Sequence, residues 1–366
     1  MKQNTTYKQT ELGLIPEDWE VNRFTDIAEL IHGFQFREEH FAENGRFGVI
    51  KIGNLTYQGN ISLDYLSKTD CDKINNYERL FLKRGDILMA LTGGTLGKMS
   101  IFNLEEHKYL QNYRVGKFEP NEKTIKNYIY YLLSSNYVQK RIEDNVNEAA
   151  QPNFGKQDFD KIKIPLPPLP EQKKIADCLS TWDIAIEKQS ALINALTDRK
   201  KALMQQLLTG KKRLPGFSEE WKEVKLGSLC KVTTGKLDAN AMVENGIYRF
   251  YTCAKDYYLI NEYKFDTEAL LISGNGANVG YIHYYKGKFN AYQRTYVLDK
   301  FKEDIFFIKY FLDYFLSQRI SNEKKEGNTP YIVLSTLTEM SIKLPSLSEQ
   351  TAIAEILATA DRELQL

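Results

Sequence analysis

Ile164-Pro165-Leu166-Pro167-Pro168-Leu169-Pro170-Glu171-Gln172-Lys173-Lys174-Ile175-Ala176 opens the stretch that decides the fold. Proline fixes φ and has no N–H, so the run reads as an extended stop between a module and the next segment of chain. From Glu171 to about Leu208 there is no further proline and no glycine. Apolar residues instead recur in alternating steps of four and three: Ile175, Leu179, Trp182, Ile186, then Ile193, Leu196, then Leu203, Leu207. Gln189 and Lys200 fill the two vacant seam positions. This is a coiled-coil seam held over several heptads, in which polar seam residues fix register and partner. At about 1.5 Å per residue the helix is roughly 55–60 Å long. Thr209-Gly210 closes it, and Lys211-Lys212-Arg213 comes next as a basic hinge.

The pattern restarts at Glu349 with Ile353, Leu357, Ala360 and Leu364, and runs to Leu366. The expected partner of the central helix is this distal helix, laid antiparallel. Being shorter, the distal helix is expected to leave much of the long seam uncovered, Leu203 and Leu207 included.

The modules on either side repeat as well. Trp19, Phe24, Ile27 and Gly33 find counterparts in Trp221, Leu226, Leu229 and Gly235. Further on, Ile87-Leu88 and Gly97 match Leu270-Leu271 and Gly280, and Gln111 and Val115 match Gln293 and Val297. Tyr130-Tyr131-Leu132 matches Tyr310-Phe311-Leu312, and Leu166-Pro167, Glu171-Gln172 and Asp183 match Leu344-Pro345, Glu349-Gln350 and Asp361. The spacing shrinks mainly between Gly33 and Ile87, as in two like modules with different variable portions. Each copy opens with a short helix, Phe24 to Ile31 stopped by Gly33 in the first. Strands and glycine-rich turns come next (Thr92 to Lys98; Ser273 to Gly280), then a helix, Ile125 to Glu143 and Ile305 to Glu323. The reading is α+β: two mixed modules at 1–170 and 211–348, a central helix at 171–210 and a distal helix at 349–366.

Hydrophobic residues at 42% support real cores, and 49 basic against 48 acidic residues leave a net charge of +1. That balance does not announce a nucleic-acid binder, but affinity depends on local patches. The polar N-terminus, the lack of a long apolar run and four scattered cysteines (Cys71, Cys178, Cys230, Cys253) point to a cytoplasmic protein with reduced thiols. No catalytic or metal-binding motif stands out. Gly93 to Lys98 lacks Walker A spacing, the glycines at 274, 276 and 280 are not a dinucleotide fingerprint, and the four histidines are dispersed.

The arrangement resembles the DNA specificity subunits of type I restriction–modification systems over essentially the whole chain. The marks occur twice: Pro165 to Ala176, and Leu344-Pro345-Ser346-Leu347-Ser348-Glu349-Gln350-Thr351-Ala352-Ile353-Ala354. Leu207-Leu208-Thr209-Gly210-Lys211, then Leu214-Pro215-Gly216-Phe217 and Trp221, is similar to that family's exit into a second module. The resemblance implies two target recognition domains, each reading half of an asymmetric double-stranded DNA site, and helices that set the gap and form an antiparallel coiled coil. It implies docking of two methylation subunits that carry S-adenosylmethionine and methylate adenine N6, and of restriction subunits that use ATP and Mg. No cofactor is expected in this chain. Readout favours Arg, Lys, Asn and Gln at base edges, with Lys, Arg and backbone donors at phosphates. The candidates are Thr92, Thr95, Lys98, Gln111, Asn112 and Arg114 in one module, and Asn275, Asn278, Gln293 and Arg294 in the other. Three rivals stay open: an enzyme with its own site, a coiled-coil scaffold that never touches DNA, and a truncated subunit that self-associates through the long helix.

Overall fold

The computed structural model describes residues 6–71, 74, 76–146, 153–323 and 331–365. Two compact units divide the chain, Met1–Ile186 and Glu187–Leu366, so the division falls inside the central helix.

In the first unit, Glu20–Arg23 pairs antiparallel with Lys163–Leu166, clasping the module's beginning to its end. Between them an antiparallel sheet runs in the order Ala28–His32, Val115–Pro120, Ile87–Ala90, Met99–Ile101. A second sheet holds Ser67–Thr69, Phe47–Ile50 and Tyr109–Gln111, the last two parallel. Strand alternation separates two cores. Ile87 and Met89 pack with Phe24, Phe118, Ile129 and Phe159, while Leu88 and Ala90 pack with Ile50, Leu55, Phe102 and Val115.

The second unit repeats the plan. Lys222–Lys225 clasps Ser341–Leu344. One six-stranded sheet runs Lys231–Thr234, Thr295–Asp299, Phe265–Ser273, Ile282–Ala291, Tyr248–Tyr251, Tyr258–Ile260. The strand Ile282–Ala291 joins antiparallel Phe265–Ser273 to parallel Tyr248–Tyr251. In the first unit that role is split between Met99–Ile101 and Tyr109–Gln111. Leu270 and Ile272 face one core, Ala269 and Leu271 the other.

Several expectations are corrected. Phe24 to Ile31 is not a helix: Phe24–Asp26 makes a 3-10 turn and Ala28–His32 is a strand. Gly33 is not a helix stop either. A Cβ there would lie 2.1 Å from the Gln111 carbonyl oxygen, and one at Gly235 would lie 1.8 Å from that of Ala291. Both glycines let two backbones cross closely. The helix expected from Ile125 to Glu143 is two helices, Lys126–Ser134 and Asn136–Val146, because Ser135 is extended and its hydroxyl accepts from Val138 N at 3.3 Å. Its counterpart Ile305–Glu323 is unbroken. The central helix spans Leu169–Leu207 and the distal one Leu347–Gln365, so each begins two residues early. Pro170 fits the first turn, where no N–H is needed.

The repeat register also shifts. Arg114 O accepts from Leu91 N at 3.0 Å, and Arg294 O from Gly274 N at 2.9 Å, so Arg114 corresponds to Arg294 and Gln111 to Ala291, not Gln293. Tyr131 and Tyr310 donate to Asp183 and Asp361, each at 2.7 Å, so Tyr131 and not Tyr130 is the partner of Tyr310. The pairing of Gly97 with Gly280 holds: their N–H groups bond Ala90 O at 2.9 Å and Ser273 O at 2.8 Å, with φ +80° and +85°.

Within the second unit the distal helix does run antiparallel to the end of the central one. Arg199 pairs with Glu363 at 3.0 Å, Lys200 with Asp361, and Arg213 with Glu349 at 2.7 Å. Met204, Leu207 and Leu208 join Ile353, Ala354 and Leu357 in one core, with Leu203 packed against it. The expectation that Leu203 and Leu207 lie uncovered is therefore wrong. The antiparallel partner starts beside Arg213, so it covers this end first. Leu196 and Leu364 are half-buried, and Ile175 packs in the first unit's core. The exposed seam residues are Leu179, Trp182, Ile186 and Ile193, with Trp182 66% exposed.

Candidate nucleic-acid interface

The glycine-rich turn, the turn before the strand at Val115 or Thr295, and a segment beyond the module's helices come together at one end of each unit. In the first unit Thr92 bridges Asn153, and Phe154 N bonds Leu91 O at 2.9 Å. In the second Asn275 bridges Tyr331, and Ile332 N bonds Gly274 O at 2.8 Å. Two equivalent backbone frames thus carry different side chains.

In the first unit the frame borders a cavity of about 690 Å³ lined by Gln35, Phe36, Lys51, Thr92, Asn112, Tyr113, Arg114 and Asn153, among others. Lys51 Nζ donates to Ser67 Oγ at 2.7 Å and sits 4.0 Å from the Phe41 ring centroid. Burial lowers its pKa from the ordinary lysine value. Asn112 Oδ1 accepts from Arg114 N at 3.1 Å and shapes the turn. Tyr113 is exposed and stacks on His32, centroids 4.9 Å apart. Lys98 Nζ lies 4.2 Å from the ring centroid of exposed Tyr57. The Thr92 and Thr95 hydroxyls are buried without a hydrogen-bond partner among the described residues.

In the second unit Asn278 Nδ2 donates to Cys253 O at 3.0 Å and Cys253 Sγ to Asn275 Oδ1 at 3.1 Å. Gln293 Nε2 donates to Asp238 Oδ1 at 2.7 Å. His283, whose pKa burial lowers despite a 3.0 Å contact with Ala254 O, stands behind this loop.

The candidates therefore divide. Arg114, Asn112, Thr92, Thr95, Asn275, Asn278 and Arg294 share the two equivalent frames, though the Thr92 and Thr95 hydroxyls are buried there and not offered to a ligand. Lys98 and Gln293 lie on the same turns. Gln111 does not reach the surface: it is 2% exposed, and its amide bonds Ile31 O and Val115 O at 2.8 and 2.7 Å. Lys51, Gln35 and Asn153 were missed, because only the fold brings them beside Arg114, and Tyr113, next to Arg114 in the chain, was passed over because most tyrosines read as core residues.

The Glu-Gln pairs have a structural task. Trp19 Nε1 donates to Glu171 Oε2 at 2.9 Å, as Trp221 Nε1 does to Glu349 Oε2 at 3.2 Å. Buried Gln172 accepts from Thr124 Oγ1 and donates to Lys123 O and Pro167 O. Gln350 likewise accepts from Asp304 N and donates to Glu303 and Pro345 O. Each helix is bolted to its module at its first turn. Among the described residues no helix is long and apolar enough to cross a membrane.

Comparison with known proteins agrees with this twofold plan. The family model described as the type I restriction modification DNA specificity domain matches residues 16–198 and again 218–366. The EcoDI specificity subunit of Escherichia coli is 49% identical over 143 residues, 38% of this chain and 31% of that protein. The MjaVIII specificity subunit of Methanocaldococcus jannaschii is 35% identical over 220 residues, 59% of this chain and 51% of that protein. The match thus spans about a third and a half of these two relatives. In fold, the chain is similar to the crystal structure of a type I restriction–modification S subunit from M. genitalium, with a TM-score of 0.68 at 18% identity over 95% of this chain and 90% of that one. Two matched segments, each laid over one of the clasped sheet-and-helix modules, place this chain in the type I restriction modification DNA specificity domain family.

Proposed function

We propose that the chain is the specificity subunit of a type I restriction–modification complex. Each module reads one half of a bipartite, asymmetric site in double-stranded DNA. The observation that carries this reading is the frame built twice with different side chains on it: Thr92 and Asn275, Thr95 and Asn278, Asn112 and Tyr292 hold equivalent places, and with the Thr92 and Thr95 hydroxyls buried the first module's exposed donors there are those of the turn from Asn112 to Arg114. A constant frame with altered donors and acceptors is what two different half-sites require. The central helix sets the unspecified gap, and about 55 Å corresponds to roughly one and a half turns of DNA at about 34–36 Å per turn.

The chain works in the cytoplasm and is non-catalytic. Two methylation subunits carry S-adenosylmethionine and transfer its methyl group to adenine N6, and restriction subunits that use ATP and Mg join that core. Exposed Leu179, Trp182, Ile186 and Ile193 supply the apolar docking stripe. The same stripe favours one second reading, self-association of two copies. Co-expression with a methylation subunit, followed by genome-wide mapping of methylated adenines, tests the proposal. Methylation at a single split motif is expected. Its absence despite assembly would refute the reading, and a complex holding two copies of this chain would favour the second.

A further inference from the structure

Resting on that reading, we infer that Arg114 and Arg294 are equivalent phosphate clamps that seat each module on DNA without reading sequence, while the neighbouring positions that differ carry the readout. The backbone geometry around the two arginines is the same. Val115 N bonds Asn112 O at 3.0 Å and Thr295 N bonds Tyr292 O at 2.9 Å, closing the two turns. Each arginine's own carbonyl is held by the strand that feeds the glycine-rich turn, Leu91 N at 3.0 Å and Gly274 N at 2.9 Å. Both side chains are exposed. Among the described residues neither guanidinium has a hydrogen bond, an ion pair or an aromatic partner. Arg23 pairs with Asp160, Arg213 with Glu349, and Arg249 lies over Tyr257 and Tyr285; Arg79 and Arg84 also stand without such a partner among the described residues, so it is the shared backbone position that sets Arg114 and Arg294 apart.

Three considerations lead to phosphate. A side chain kept in the same place on two modules that read different sequences serves what both half-sites share, and the backbone is common to every sequence. An arginine with no carboxylate beside it keeps its full charge and its fork of donors for an oxyanion. Finally, 49 basic and 48 acidic residues give the chain almost no net attraction for DNA, so unpaired cations at chosen points must supply it.

The test uses the full chain assembled with its methylation subunit, as wild type, Arg114→Ala, Arg294→Ala, and the Lys variant at each position. Binding is measured between 50 and 200 mM salt, a range of about fourfold chosen for its leverage on counterion release. The probes are short duplexes carrying the mapped site or a scrambled half-site. Each Ala change should lower the slope of log K against log salt by about 0.9, and weaken binding roughly tenfold near 0.1 M salt on both duplexes alike. The methylated motif should stay the same, and lysine should restore most of the affinity. Loss of preference at one base pair of one half-site, not rescued by lysine, would make that arginine a base reader and overturn the inference. An unchanged salt slope in a folded, active complex would overturn it too. If the wild-type complex itself shows no salt-dependent or site-selective binding, the specificity-subunit reading falls, and the clamps with it.

Discussion

Glu349 is 1% exposed, and its carboxylate takes Arg213 at 2.7 and 2.8 Å and the Trp221 indole at 3.2 Å. Removing one partner of a buried ion pair leaves the other charge without compensation, at about 3–5 kcal/mol. Arg213 is 29% exposed, which lets water take up part of the loss. We therefore expect Arg213→Ala to destabilise the second unit by about 3 kcal/mol, read as a lower urea midpoint in Trp221 fluorescence. A loss under about 1 kcal/mol would mean that water reaches Glu349 freely. The thiols give a second expectation. Burial, aided by Asp299, pushes the Cys230 pKa up to about 12, so it stays protonated at pH 8, whereas Cys178 is exposed. Alkylation of the native protein should label Cys178 first and spare Cys230 until unfolding. Prompt labelling of Cys230 would contradict the packing. At this scale the sequence was legible where a residue's task is local, as for the left-handed Gly97 and Gly280. It was misleading where the task is distant. Gln111 and Gln293 look alike as letters, yet one is locked inside the sheet and the other lies on a turn. Gly33 looks like a helix stop until the Gln111 carbonyl that presses on it is seen.

The central helix was the most legible element, because its periodicity lasts for several heptads and the proline run marks its start. Which part of its seam stays uncovered was not legible, since that depends on where the antiparallel partner begins. The consequence can be measured. Trp182→Glu with Ile186→Glu should leave stability within about 0.5 kcal/mol, because both side chains already face solvent, while assembly with the methylation subunit is lost. Leu207→Glu, at 3% exposure, should instead cost about 3 kcal/mol or more of the second unit's stability. Assembly that survives the Trp182 and Ile186 changes would mean the stripe is solvent-exposed for no docking purpose. Four residues inserted near Ala195 add about 6 Å and roughly one helical turn, which keeps the seam close to phase. The half-sites should then stay fixed while the gap between them lengthens by close to two base pairs, at about 3.4 Å each. An unchanged gap in an active complex would remove the helix as the ruler. The short segment Phe24 to Ile31 was misread because a few apolar residues satisfy both periods, and burial on the sheet decided for the strand.

Across the whole molecule, the duplication was legible from paired landmarks alone, and the two modules proved to share strand order as well as landmarks. Exchanging residues 1–170 for the same segment of a relative should alter only one half of the methylated motif. A change in both halves, with the protein folded, would contradict modular reading. The split of one long strand into Met99–Ile101 and Tyr109–Gln111 was hidden, because no local signal distinguishes a broken strand from two. The clasp that pairs Glu20–Arg23 with Lys163–Leu166, and Lys222–Lys225 with Ser341–Leu344, has a bearing on inheritance. Each module's chain ends leave side by side from a two-stranded ribbon whose pairing is carried by backbone and not by particular side chains. Gene crossovers falling in those ribbons would therefore deliver a whole module, seams intact, into a foreign scaffold. On the proposed specificity-subunit reading, a cell lineage would acquire a new methylation motif in one recombination event, while the other half-site, and the enzymes that act on it, go on unchanged.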